Sequence, residues 1–150
     1  MLFSTPGQWE RKAKRSAIND FIVDNAVDVL CLTETWLLPS GDEATCSDLS
    51  PLGYRILSFP RPSRGGGIAF VVADSLAPFL SVTADFSFPH SSFELSQLTF
   101  SLPQHSLHIF CLYRPPPNRK NQLKDSALYG KISGSPCVQQ LPERLLPYCW

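Results

Sequence analysis

The stretch Asp28-Val-Leu-Cys-Leu-Thr-Glu-Thr-Trp36 constrains the fold more than any other, because a short apolar run ends abruptly at a carboxylate. Val29 to Leu32 is too short for a helix, rich in β-formers and apolar on both alternating faces, which predicts a central strand covered on both sides. Open α/β sheets place their chemistry at the carboxyl ends of strands, and this strand exits into Thr33-Glu34-Thr35. Glu34 is therefore a candidate hard-oxygen ligand for a metal, or else an ordinary strand-end carboxylate satisfied by a neighbouring donor.

At 150 residues and 43% hydrophobic, the chain is expected to form at most one domain and not to be disordered. It contains no run approaching the ~20 apolar residues of a membrane span, and the opening Met1-Leu2-Phe3-Ser4 lacks a signal peptide's apolar core. An intracellular, soluble protein without a membrane partner is the expectation. The five cysteines are scattered, with no close pair of the kind zinc sites use, and Cys31 and Cys111 read as small core residues in apolar strands. Thirteen basic and thirteen acidic side chains cancel, so no global field attracts nucleic acid. The cations are nevertheless grouped. Arg114, Arg119, Lys120, Lys124 and Lys131 stand against Asp125 alone, and Arg11, Lys12, Lys14 and Arg15 form a second cluster. Each group is either a solvated face or a phosphate contact.

Residues 1–13, with Pro6-Gly7, read as a loose N-terminus. Ala17, Ile18, Phe21 and Ile22 recur at helical spacing between a cap at Ser16 and a stop at Asn25, predicting an amphipathic helix packed on the strand that follows. Residues 38–53 form a loop too long for a simple connection, and such loops are often functional. Tyr54 to Phe59 and Ile68 to Val72 read as strands, and Leu80 to Thr83 as a possible further one. Gly65-Gly66-Gly67 feeds a strand instead of a helix and is not followed by Lys-Ser or Lys-Thr, so it reads as an unusual turn or a close backbone approach, not a phosphate loop. The clearest hairpin joins Phe93 to Leu102 with Leu107 to Tyr113. In its second strand Leu107, Ile109, Cys111 and Tyr113 share one face, with His108, Phe110 and Leu112 on the other. His105 and His108 then face opposite ways and do not chelate, and a satisfied or exposed role is expected for them and for His90. Arg114 and the prolines after it end the sheet.

Five motifs in order, Leu32-Thr33-Glu34-Thr35-Trp36, Pro51-Leu52-Gly53-Tyr54, Arg64-Gly65-Gly66-Gly67-Ile68-Ala69, Ser92-Phe93-Glu94-Leu95 and Tyr113-Arg114-Pro115-Pro116, resemble the endonuclease domain of non-LTR, LINE-type retrotransposons. That domain belongs to the endonuclease/exonuclease/phosphatase superfamily, and the likeness runs over residues 14–118, roughly the domain's first half. The resemblance implies an α/β fold, a four-layer α/β sandwich that nicks DNA with Mg²⁺. It makes Glu34 the metal ligand and Tyr113 the catalytic tyrosine that reaches the scissile phosphate. Arg114, Arg119 and Lys120 become candidate nucleic-acid contacts, and DNA the expected partner. Tyr113 has a structural reading too, as a core tyrosine capping the hairpin.

The departures are as informative. The family's first strand carries an asparagine near the metal, whereas the region ahead of the helix here reads Phe3-Ser4-Thr5-Pro6-Gly7-Gln8-Trp9. The family's Gly-Asp-Phe-Asn-like motif and terminal Asp-His pair have no counterpart: the chain has no Asp or Glu after Glu143 and no His after His108. Residues 119–150 read as a divergent proline-containing tail with room for little of a family helix around Gln139 to Leu146. The expectation is a partial domain, mainly one sheet plus a flanking helix. Its uncovered inner face is expected to make the chain molten and dye-binding or to need a covering protein partner. Two functional classes follow: a truncated endonuclease domain that is inactive in this chain, or a non-catalytic module binding nucleic acid or protein. A functionless unfolded translation product is the third reading.

Overall fold

The computed structural model describes residues 6–61, 65–85 and 93–114. The chain is mixed α/β and builds two three-stranded antiparallel sheets. The first has the order β1-β3-β2, from β1 (Val29–Thr33), β2 (Tyr54–Phe59) and β3 (Ile68–Ala73). The second has the order β4-β5-β6, from β4 (Leu80–Asp85), β5 (Glu94–Ser101) and β6 (Ser106–Tyr113). A 3₁₀ helix, Asp74–Phe79, carries the chain from one sheet to the other.

Helix α1 (Pro6–Asp24) begins inside the segment expected to be loose, well before Ser16. Proline suits a first turn, whose N–H groups have no helical partner in any case. The apolar stripe is narrower than its spacing predicts: Ile22 is fully buried, whereas Phe21 is half exposed. The long loop is also more ordered than expected, because it contains α2 (Glu43–Leu49), whose Leu49 is buried. The two helices are joined by Arg15 to Asp48 at 3.0 Å and by Asn19 Nδ2 donating to the Asp48 carbonyl at 2.8 Å.

The most apolar strand takes the centre of the first sheet, and it is β3, not β1. All six β3 residues are buried, while Cys31 and Thr33 of the edge strand β1 are exposed. The expectation of a central β1 fails because its run of β-formers is short and its neighbour Ile68 to Ala73 is longer and more apolar; hydrophobic runs rank strands only relative to one another. Since β1 and β2 are both antiparallel to β3, they run parallel with β3 between them, and the crossover holding α2 joins them.

The expectation of one sheet with a bare inner face is overturned. Ile68, Phe70 and Val72 of β3 pack against Leu98 and Phe100 of β5 and Cys111 of β6, with Val29, Leu57, Phe59, Ile109 and Tyr113 closing the margins. The Phe59 and Phe70 rings meet edge to face, with centroids 5.9 Å apart. The cover over β3 is supplied by this chain itself, whose β4 to β6 form the second sheet. On the other side Ala69 and Val71 are equally buried. Leu32 lies beside Ile18 of α1 and Leu49 of α2 on that side.

The hairpin shows the expected alternation only in part: Cys111 is buried and Ile109 and Tyr113 half-buried, while His108 and Leu112 are exposed, but Leu107 at the turn end is exposed and Phe110 on the other face is half-buried. The Leu102 N–H donates to the His105 carbonyl at 2.9 Å to close its turn. Among the described residues no helix is long and apolar enough to cross a membrane. The helix considered around Gln139 to Leu146 lies outside the described residues.

Phe70, with Phe100 the largest of the fully buried side chains among the described residues, packs in the core between the two sheets. Phe70→Ala is expected to cost about 3–5 kcal/mol, read as a lowered urea midpoint with an unchanged slope.

Candidate site where the two sheets meet

The β1 strand ends in two left-handed residues. Glu34 has φ +55° and Trp36 φ +56°, conformations that L-residues adopt only where surroundings hold them. The holding is done by the glycine run, whose φ values of +91°, +75° and +92° no other residue adopts freely. Thr35 N–H donates to the Gly67 carbonyl at 3.2 Å and Trp36 N–H to the Gly66 carbonyl at 2.8 Å, so the β1-β3 ladder runs on past the strand.

The glycines are needed for space as well as for φ. A Cβ on Gly67 would lie 2.7 Å from Thr35 Oγ1, and one on Gly66 would overlap the Glu94 carboxylate and lie 2.6 Å from Arg61 Cδ. A methyl at Gly65 would meet the Trp36 ring at an ordinary 3.6 Å. The sequence reading of an unusual turn with close backbone approach therefore stands.

Beneath this turn Glu94 is 4% exposed, with Oε2 accepting the Gly67 N–H at 2.8 Å and Oε1 lying 3.3 Å from the Arg61 guanidinium. Sequence reasoning quoted Glu94 only as part of a motif and did not single out Arg61. The signal available was an acid between Phe93 and Leu95 at the start of a strand, a position that requires a partner when buried.

Glu34 and Tyr113, 79 residues apart, are brought into contact: the phenol donates a short hydrogen bond to Glu34 Oε1. That bond to Glu34, followed by burial and the charges of Glu34 and Glu94, pushes the Tyr113 pKa up to about 12. The phenol is therefore a neutral donor throughout the physiological range. Each residue comes from a different sheet, so the pair sits where the sandwich edges converge.

On the helical side of Glu34 lies an open cleft of about 460 Å³, lined by Lys14 and Arg15 of α1, Thr33 to Trp36 and Thr45 of α2 among others. Trp36 is 60% exposed at its mouth. Arg15 is engaged with Asp48, while Lys14 makes no ion pair among the described residues. The Lys14-Arg15 cluster, with two readings open from sequence, thus faces the candidate carboxylate. Only the packing of α1 on α2 brings it there.

The other candidate cations are placed differently. Arg114 is half-buried directly after β6, and Arg119 and Lys120 lie outside the described residues, as do His90, Cys137 and Cys149. His108 sits on the opposite face of β6 from Tyr113, with its Nδ1 3.0 Å from Thr99 Oγ1 and 3.2 Å from Gln97 Nε2. His105 is exposed in the hairpin turn. Asp42 and Glu43 close the turn before α2, accepting the Leu38 N–H at 2.6 Å and the Gly41 N–H at 3.3 Å.

As a metal centre the arrangement is minimal. Among the described residues no three His, Cys, Asp or Glu converge, and Glu94 is committed to Gly67 and Arg61. What remains is Glu34 alone, one oxygen bound by the phenol. This donor set fits a hydrated Mg²⁺, which often binds through one carboxylate and completes its shell with water and phosphate oxygens. In comparisons with known proteins, no family model matches the chain and no curated protein is significantly similar to it.

Gly66→Ala is expected to destabilise by about 2 kcal/mol or more, since it adds left-handed strain and displaces a buried carboxylate; chemical denaturation measures it. A pH titration tests the Tyr113 hydrogen bond. Its folded-state pKa lies above the unfolded value of about 10, so its stabilisation is fully present below pH ~10 and is lost as the pH rises towards 12. Absorbance at 295 nm should show one of the four tyrosines ionising late, and that phenol should be missing in Tyr113→Phe.

Proposed function

We propose that residues 14–118 are a module of the LINE-type endonuclease class, built on an endonuclease/exonuclease/phosphatase-like α/β sandwich, that retains the metal-anchoring and phosphate-addressing half of a DNA-nicking site. The observation that carries this reading is the hydrogen bond from Tyr113 to Glu34. The resemblance names both residues, from motifs 79 residues apart in the chain, and their contact supports reading them as parts of one site.

Glu34 is the residue that would hold Mg²⁺, which when bound supplies charge neutralisation at phosphoryl oxygens and a water of lowered pKa. Tyr113 presents a neutral O–H donor, which adds no charge of its own when a phosphate oxygen takes the place of Glu34 as its acceptor. Lys14 places a cation in the cleft beside Glu34 for the phosphate backbone. Arg114, Arg119 and Lys120 remain candidate nucleic-acid contacts in the same reading. Trp36 adds an exposed aromatic face at the mouth.

Among the described residues no histidine is placed to act as a general base: His108 is turned to the far face of its strand and bonded there and His105 lies in the hairpin turn, while His90 lies outside the described residues. General acid-base catalysis contributes about 10²–10⁴-fold, and groups that act as a unit fail together when one is lost. The chain therefore contacts DNA and does not nick it. This joins the endonuclease and binding-module readings into one: an ancestral catalytic site retained as a binding surface.

Supercoiled plasmid incubated with the chain and Mg²⁺ or Mn²⁺ should stay supercoiled, while DNA retention should weaken steeply between low and moderate salt and fall further in Lys14→Ala. Mg²⁺ alone should bind only at about millimolar concentration. Nicking that disappears in Glu34→Ala would refute the inactive assignment, and absence of salt-dependent retention would refute the module itself.

A further inference from the structure

Two thiols face each other across the sandwich just behind the Glu34–Tyr113 pair. In the β1-β3 register Cys31 lies opposite Phe70 and Val29 opposite Val72, which places Cys31 on the inner face of the first sheet, because Phe70 and Val72 are core residues. In the second sheet Cys111 is itself in that core, two residues before Tyr113 on the same face of β6. Both side chains therefore point into the space between the sheets, a few residues back along the strands from the Glu34–Tyr113 contact. Cys31 precedes Glu34 by three residues and Cys111 precedes Tyr113 by two, so the strand ends that the Glu34–Tyr113 bond joins carry both thiols.

We propose that Cys31 and Cys111 are an oxidisable dithiol that closes into an inter-sheet disulfide in the presence of a small disulfide oxidant of the glutathione class. Their exposures assign the order of events. Cys31 is on an edge strand and exposed, so the oxidant reaches it, whereas Cys111 is only 6% exposed and is reached by Cys31 alone. The neighbouring Cys111 also holds the Cys31 thiol below the usual range, and Cys31 together with burial holds Cys111 above it.

The Cys31 thiolate attacks one sulfur of oxidised glutathione, forming a mixed disulfide and expelling glutathione thiolate, which takes up the proton Cys31 released. Cys111 then gives up its proton and attacks the Cys31 sulfur. The second glutathione thiolate leaves and is protonated. The two protein thiols are oxidised by two electrons, and one oxidised glutathione becomes two reduced molecules. Inter-sheet disulfides between facing strands are an established solution in antibody-type sandwiches, where they pin the two layers. Here the bond would tie β1 to β6 directly behind Glu34 and Tyr113, holding the two halves of the site in register.

The test uses the full chain carrying Cys46→Ser, since Cys46 shares a tryptic fragment with Cys31. After incubation with oxidised glutathione, peptide mapping without reduction should find the Cys31 fragment joined to the Cys111 fragment. Closing so long a loop should raise the Tm by roughly 5–15 °C, reversed by dithiothreitol. Both effects should vanish in Cys31→Ser and in Cys111→Ala. Cys31→Ser, at an exposed edge position, keeps the comparison valid should Cys111→Ala fail to fold. Glutathione remaining on Cys31 as a stable mixed disulfide, or preferential pairing of either thiol with Cys137 or Cys149, would overturn the proposal.

Discussion

A buried carboxylate determines how this structure can be put together. Glu94 opens the innermost strand of the second sheet, yet its Oε2 takes the N–H of Gly67, in the turn that enters the first. Burying a charge is tolerable only when it is paired and hydrogen-bonded, and stranding one typically costs several kcal/mol. Arg61 and Gly67 meet that requirement together, which ties the glycine turn to the second sheet. The same turn offers the carbonyls of Gly66 and Gly67 to Trp36 and Thr35. The left-handed Glu34 between β1 and Thr35 is thus determined from a distance, through a chain of contacts that begins at Glu94.

This dependence explains which parts of the site were legible in the sequence. Glu34 stood out because an apolar run stops there, and Gly65 to Gly67 because three glycines before a strand have no packing purpose. Both are local signals. Glu94 and Arg61 were not legible as a pair because their meaning depends on a contact between two sheets, and nothing in either strand's own period announces it. Lys14 and Arg15 are the same kind of case: the cluster was visible, but its direction depends on α1 packing on α2 through Asp48.

The fold divides in the same way. The β5-β6 hairpin was readable to within a residue or two, since strand pairing and turn residues are short-range properties, while the burial of its faces departs from strict alternation at Leu107 and Phe110. The rank of strands in a sheet is a long-range property. β1 looked central because its apolar run was judged alone, and the second sheet was missed because a cover for β3 was sought outside the chain. The helix began early for a third reason: Pro6-Gly7 reads as a breaker in mid-chain, yet proline is at home in a first helical turn.

The two-sheet architecture also limits what the site can do. Glu34 hangs from β1 in one sheet and Tyr113 from β6 in the other, so their contact reports the spacing of the sheets, and that spacing is set by the side chains between them. Phe70, Leu98, Phe100 and Cys111 act as the spacers. Close-packed interiors transmit changes of volume instead of absorbing them. A loss of volume at these positions should therefore be felt at Tyr113 before it is felt by the helices, because the helices rest on the other face of β3. A hydrogen bond is far steeper in distance than a dispersion contact, so the phenol separates from Glu34 while the sheets still adhere. The geometry of the site is thus a more sensitive property of this chain than its stability, and the core that gives the domain its cohesion also sets where a phosphate oxygen could replace the Tyr113 contact.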